Sequence, residues 1–106
     1  MIEIYYLKEE RLLPVSLACI LGGGVPEADN YVYVCRLDED DPEKVWEVMQ
    51  GTDENLPKND AGEDVRSMTI GDVIIKGKRG FQVAPIGFKE FDPVAAGFVD
   101  KKGDVL

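Results

Sequence analysis

The sequence predicts an α+β domain with a small, mainly antiparallel sheet of about four strands and one or two short helices on one face. Four segments rich in β-branched and aromatic residues predict the strands, at 2–7, 30–37, 68–75 and 80–86. The segment 42–50 has the apolar spacing of an amphipathic helix. A length of 106 residues suits a single domain with one core. A small bent, partly open β-barrel is the alternative fold.

The first two predicted elements are a strand and a short helix. The strand, Ile2–Leu7, is rich in β-branched and aromatic residues. The segment 12–21, LLPVSLACIL, is consistent with a short helix or with a buried extended run. We favour the helix, because Pro14 suits its first turn and Gly22 suits its C-terminal cap.

The next two elements are a strand and a helix. Asn30–Leu37, NYVYVCRL, is largely apolar on both faces, which is typical of a central strand. For the helix 42–50, Asp41 is a suitable N-cap and Pro42 a suitable first residue. We expect Trp46 to anchor this helix on the sheet.

A β-hairpin at 67–91 is predicted to be the centre of the domain. Its turn, KGKRG, supplies glycines that tolerate positive φ. Pro85 cannot donate a ladder hydrogen bond, so the second strand must bend, bulge or run along an edge there. The polar segment 52–66 predicts a long exposed loop. The tail 92–106 is expected to fray or to carry one last short element.

The net charge of −9 is concentrated in one part of the chain. The segment 38–64 holds eleven acidic and two basic residues, whereas the remainder holds ten of each. This acidic segment could mimic a nucleic acid and occupy the cleft of a DNA-binding protein. The basic turn at 76–79 could instead contact RNA or DNA phosphates. A solvated surface that keeps a small protein soluble is the third interpretation.

The residue types that support most enzymatic and metal chemistry are scarce. The chain has no histidine, the usual general base and a common metal ligand. Cys19 and Cys35 are too far apart in the sequence to form a zinc or redox motif. We therefore expect no enzymatic activity, no cofactor, no metal site and a cytoplasmic location. The apolar run 15–21 is too short to cross a bilayer, so no membrane association is expected.

Two motifs resemble the YodL-like domain family. They are RSMTIGDVI at 66–74 and GFKE at 87–90, within a resemblance that covers most of 30–91. Members are small proteins often carried by bacterial mobile elements, phages and plasmids, so the resemblance implies an accessory protein of a mobile element or its host. The family has no established activity, so the resemblance implies no catalytic residue.

The motif residues have a structural and a functional interpretation. Gly71 and Asp72 could form a turn or bulge in which Asp72 caps backbone donors, and Gly87 could give the backbone room beside Phe88. The functional interpretation is a surface for a protein partner. We therefore predict a non-enzymatic protein-interaction module, with nucleic acid as the alternative partner. The candidate binding residues are Lys76, Lys78, Arg79, Phe88, Lys89 and Glu90.

Overall fold

A computed structural model describes residues 1–22, 26–50, 58–59 and 61–106. The elements in chain order are β1 (Ile2–Leu7), α1 (Glu9–Ile20), β2 (Tyr31–Leu37), α2 (Pro42–Val48), β3 (Val73–Lys76), β4 (Arg79–Val83) and β5 (Phe88–Phe91). The described strands form one antiparallel sheet in the order β2-β1-β3-β4-β5. This confirms the predicted α+β fold. The sheet is open, with β2 and β5 at its edges, so the partly closed barrel is not formed.

Every residue of β1 is buried, which shows that both faces of the sheet are covered at this strand. Alternate side chains of β1 enter two separate hydrophobic clusters. On one face Val45 of α2 and Met49, which caps the end of that helix, belong to the first cluster. On the other face Leu12 and Val15 of α1 pack against the second. The prediction that the helices share one face is therefore wrong, since a strand buried on both sides requires a cover on each.

β2 lies at an edge of the sheet, so its predicted central position is wrong. The register with β1 shifts between Ile4 and Tyr5, which leaves Val34 and Cys35 both buried against the α2 side. Such a two-against-one arrangement is a β-bulge. It is common at sheet edges, and it explains why the sequence of β2 is apolar on both faces without being central.

The predicted central hairpin is in fact a three-stranded meander formed by β3, β4 and β5. β3 begins at Val73 rather than at residue 68, because the preceding backbone forms a turn in which the Asp72 N–H donates to the Thr69 carbonyl at 3.1 Å. β4 ends at Val83 rather than at residue 86. Pro85 consequently lies in the turn before β5, outside the hydrogen-bonded ladder.

The ends of α2 and α1 show which capping predictions hold. α2 begins as predicted, with the Asp41 carboxylate accepting a hydrogen bond from the Glu43 N–H at 3.0 Å. α1 starts at Glu9, earlier than predicted, so Pro14 lies inside the helix rather than in its first turn. Gly22 follows α1 with a φ of 81°, as its predicted capping role requires.

The tail 92–106 packs against the sheet on the α1 side. Phe98 and Val99 are buried there, and the Phe98 ring contacts Tyr5, Tyr31 and Phe91. An isolated bridge joins Val99 to Val105. Of the predicted loop 52–66, residues 52–57 and 60 lie outside the described residues. Within the described ranges, no helix is long and apolar enough to cross a membrane.

Candidate functional site

One of several concave surfaces in the described part of the chain combines aromatic and acidic side chains, and it lies between α2 and the end of the sheet formed by β4 and β5. Val45 of α2 is buried in the core. Helical spacing therefore places Glu43, Trp46 and Glu47 together on a different side of α2. These three residues face Phe88 and the turn before it across a cavity of about 290 Å³. We call this surface the α2–β5 groove.

The floor of the α2–β5 groove is aromatic. Trp46, Phe81 and Phe88 are each only partly buried, so part of each ring is open to a ligand. Phe81 and Phe88 pack edge to face, with ring centroids 6.3 Å apart. A second cavity of about 350 Å³ shares Glu43, Gly87 and Phe88 with the first, so the two form one continuous groove.

The rim of the groove is acidic. Four carboxylates line its two cavities: Asp41, Glu43, Glu47 and Glu90. Asp41 also caps α2, while Glu43 and Glu47 lie one helical turn apart on the same side of α2. An aromatic floor beneath carboxylates is the surrounding that a lysine or arginine side chain prefers, through cation–π attraction and charge-assisted hydrogen bonds.

An arginine of the chain itself already uses part of this surrounding. The Arg79 guanidinium carbon lies 5.1 Å from the centroid of the Phe81 ring. Its Nη2 atom donates a hydrogen bond to Glu90 at 2.6 Å. Phe81 and Glu90 are directly opposite each other on β4 and β5, so the sheet register places the ring beside the carboxylate.

The structure divides the six candidate binding residues among three places. Phe88 and Glu90 line the α2–β5 groove, with Arg79 at its edge. Lys89 lies on the opposite face of β5, in a cavity with Cys19 and Ile20 of α1. Burial raises the pKa of the Cys19 thiol, and the nearby Lys89 ammonium acts to lower it. Phe88, Lys89 and Glu90 therefore do not form one continuous surface.

Lys76 and Lys78 lie at the tip of the β3–β4 hairpin. Lys76 is directly opposite Arg79 in the register. Lys78 is exposed in the turn, and the loop that carries Lys101 and Lys102 packs against it at Gly103. The approach of this loop to the basic turn could not be predicted from the sequence, because the tail has no strand or helix pattern.

The three motif residues Gly71, Asp72 and Gly87 have structural roles. Asp72 is fully buried, and its carboxylate accepts hydrogen bonds from the backbone N–H groups of Leu7 and Thr69 at 2.9 and 2.8 Å. Gly71 has a φ of 98° and packs closely on Leu7. Gly87 has a φ of 68° but open space around it, so it serves the turn rather than the predicted need for room beside Phe88.

Sequence reasoning missed the groove because its two walls are distant in the chain. From the sequence, Glu43 and Glu47 are recognisable only as members of the acidic segment 38–64, and Trp46 only as a residue expected to anchor the helix on the sheet. Their spacing with Trp46 is a signal of a shared helix side, but nothing in the sequence shows that β5 lies opposite. Which strand lies opposite α2 depends on the order of the strands in the sheet.

The search for a metal site among the described residues and the comparisons with known proteins do not identify a function for the groove. Among the described side chains, no group of three His, Cys, Asp or Glu residues is arranged to hold a metal ion. Comparison of the chain with protein families, with characterised proteins and with solved structures finds no match. The resemblance to the YodL-like domain family stays a prediction.

Proposed function

We propose that the protein is a non-enzymatic interaction module that binds a lysine- and arginine-rich segment of a partner protein in the α2–β5 groove. The observation that carries this proposal is the combination of a partly exposed aromatic floor, Trp46, Phe81 and Phe88, with four carboxylates on the rim. Arg79 supports it, since a guanidinium already lies against Phe81 and Glu90 at one end.

The distribution of charge favours a basic partner over nucleic acid. The segment 38–64, which supplies three of the four rim carboxylates, accounts for a charge of −9. Such a field attracts a cationic segment from a distance and repels a phosphate backbone. At the basic turn, Arg79 is paired with Glu90. Lys76 and Lys78, with Lys101 and Lys102 in the loop packed against Lys78, form a small footprint for phosphates beside a segment of charge −9.

Under the acidic-mimic hypothesis, the lysine- and arginine-rich segment belongs to a nucleic-acid-binding protein. A DNA- or RNA-binding protein presents a basic cleft or tail, and the groove would compete with nucleic acid for it. A basic segment from any other protein would bind through the same contacts. The proposed chemistry is common to both sources, and a competition assay with nucleic acid separates them.

Trp46 offers a direct test, because it is the only tryptophan in the chain. Titration with a peptide rich in lysine and arginine should change its fluorescence, whereas a peptide with glutamate at those positions should not. Affinity should fall steeply with added salt, since exposed charges are screened within about 8 Å at physiological ionic strength. Phe88→Ala should weaken binding as well, because the floor loses a ring.

A double substitution and its control locate the binding surface. Glu43→Gln with Glu47→Gln should weaken binding by roughly fivefold to tenfold, the range expected for two exposed charges. Glu27→Gln with Asp29→Asn removes the same charge from exposed positions on either side of Ala28, which packs on the other face of the sheet, and should have much less effect. Equal losses in both variants would show that net charge, and not the groove, drives the association.

A further inference from the structure

Helix α1 exposes a continuous apolar stripe on the side away from the core. Its members recur at the spacing of one helical face and are 51–78% exposed: Leu13, Leu17 and Ile20 of the helix and Leu21, which caps it. The core-facing side of the same helix is formed by Leu12, Val15 and Cys19. α1 is therefore apolar on two opposite sides, although the fold covers only one of them.

The apolar surface continues past the end of the helix. Ile20 and Gly22 share a cavity of about 290 Å³ with Pro85, in the turn between β4 and β5. The next residue, Ile86, is 94% exposed, the highest value among the large apolar side chains described. The stripe and this turn together form an apolar surface longer than α1 alone.

The charges at the two ends of the stripe are opposite. The first turn of α1 holds Glu9 and Glu10 beside the exposed Arg11, and no basic residue occupies its last turn. At about 100° per residue, Glu10 lies on the stripe side of the helix, whereas Arg11 is turned away from the stripe. Lys89 lies beside the C-terminal end, in the cavity with Cys19 and Ile20. Glu10 and Cys19 are nine positions apart in the helix, about 14 Å at 1.5 Å per residue, so Glu10 and the lysine lie at different ends of the stripe in one protomer.

We propose that this stripe is the interface of an antiparallel homodimer. A two-fold axis near Leu17 places that residue against its own copy, and Leu13 against Ile20 and Leu21 of the partner. The same axis brings the acidic end of each α1 toward Lys89 of the other protomer. An isologous interface requires this self-complementarity, in which each end of the surface matches the opposite end of its copy.

The dimer does not depend on the groove and leaves it free. α1 and α2 pack on opposite faces of the sheet, so association through α1 leaves the α2 side of both grooves exposed, although the turn at Pro85 borders both surfaces. A dimer would present two grooves to a partner with repeated basic segments, which raises the apparent affinity through multivalency.

Sedimentation equilibrium over a wide range of protein concentration tests the dimer. The wild-type chain should approach twice the monomer mass as its concentration rises into the high micromolar range. Leu17→Asp places two carboxylates at the two-fold axis and should raise the dissociation constant at least tenfold. Val48→Asp is the matched control, because Val48 is exposed to a similar extent on α2 and should leave the dimer intact. Circular dichroism and urea midpoints check that both variants fold.

Charge exchange tests the antiparallel orientation. Glu10→Lys and Lys89→Glu should each weaken the dimer severalfold, and together they should restore part of the lost affinity. In one protomer Glu10 lies at the N-terminal end of α1 and Lys89 lies beside its C-terminal end, so coupling between them must arise across the interface. Additive losses would overturn the antiparallel arrangement. A wild-type protein that stays monomeric at every concentration, or a dimer insensitive to Leu17→Asp, would overturn the dimer itself.

Discussion

Arg66 and Asp72 are joined by two parallel hydrogen bonds, from Nη1 to Oδ2 at 2.7 Å and from Nη2 to Oδ1 at 2.8 Å. The same carboxylate accepts the N–H groups of Leu7 and Thr69, and the guanidinium lies 4.3 Å from the centroid of the Tyr6 ring. The segment before β3 is thereby fastened to the end of β1. The RSMTIGDVI motif thus contributes a structural anchor rather than a binding surface.

The first prediction concerns this anchor. Asp72→Ala should lower the free energy of unfolding by about 3–5 kcal/mol, because it leaves a half-buried guanidinium and two backbone donors without their acceptor. Urea denaturation measures the loss. Glu90→Ala breaks an exposed ion pair with Arg79 and serves as the control, with an expected cost of at most about 1 kcal/mol. Similar losses in the two variants would contradict the anchoring role.

The second prediction compares two buried tyrosine hydroxyls. The Tyr31 hydroxyl donates to the Gly71 carbonyl at 2.6 Å, whereas the Tyr6 hydroxyl finds no partner among the described residues. Tyr31→Phe should destabilise the protein by about 1–3 kcal/mol, since a buried carbonyl loses its donor. Tyr6→Phe removes an unsatisfied group and should be neutral or slightly stabilising. Thermal denaturation of both variants measures their stabilities. A larger loss of stability for Tyr6→Phe than for Tyr31→Phe would contradict the prediction.

The third prediction is a loss of stability at alkaline pH. Burial raises the pKa of Tyr5, Tyr6 and Tyr31 above the ordinary value of 10.0. Above that pH an unfolded tyrosine releases its proton while the folded one retains it, so deprotonation favours unfolding. Each tyrosine should remove up to about 1.4 kcal/mol per pH unit between about pH 10 and its own raised pKa, and nothing well below pH 10.

Urea midpoints across the alkaline range, with tyrosinate absorbance as a second signal, measure this effect. Tyr6→Phe provides the control, because it removes one of the three ionisable hydroxyls: its slope should be shallower than that of the wild-type chain. An identical slope would mean that Tyr6 ionises at its ordinary pKa in the folded protein.

The sequence predicted the local elements better than their arrangement. The strand Ile2–Leu7 and the capped start of α2 could be predicted because they depend on neighbouring residues. The edge position of β2 could not, since a bulge at Val34 and Cys35 and a central strand give the same apolar pattern. The burial of Phe98 in the tail could not be predicted either, because a single buried ring in a series of turns creates no periodicity.

The candidate sites show the same limit. Phe88 and Glu90 were singled out from the sequence, but Lys89, between them, faces α1, because successive residues of a strand point to opposite sides. The stripe on α1 was present in the sequence as apolar residues at helical spacing. It could not be distinguished from the core-facing side, because α1 is apolar on both sides.

The last prediction separates crowding from backbone conformation at two glycines of the motifs. Gly71 and Gly87 both have positive φ, so an alanine at either should cost about 1–2 kcal/mol in backbone strain. A Cβ atom at Gly71 would also lie 2.8 Å from Cδ1 of Leu7, whereas one at Gly87 meets nothing within 4 Å. Gly71→Ala should therefore be the more harmful by about 1–3 kcal/mol, the cost of overpacking a core. Urea denaturation of the two variants measures the difference. Equal losses would mean that the Leu7 side chain moves aside without cost, and that the fit between this turn and β1 is looser than the contact distance indicates.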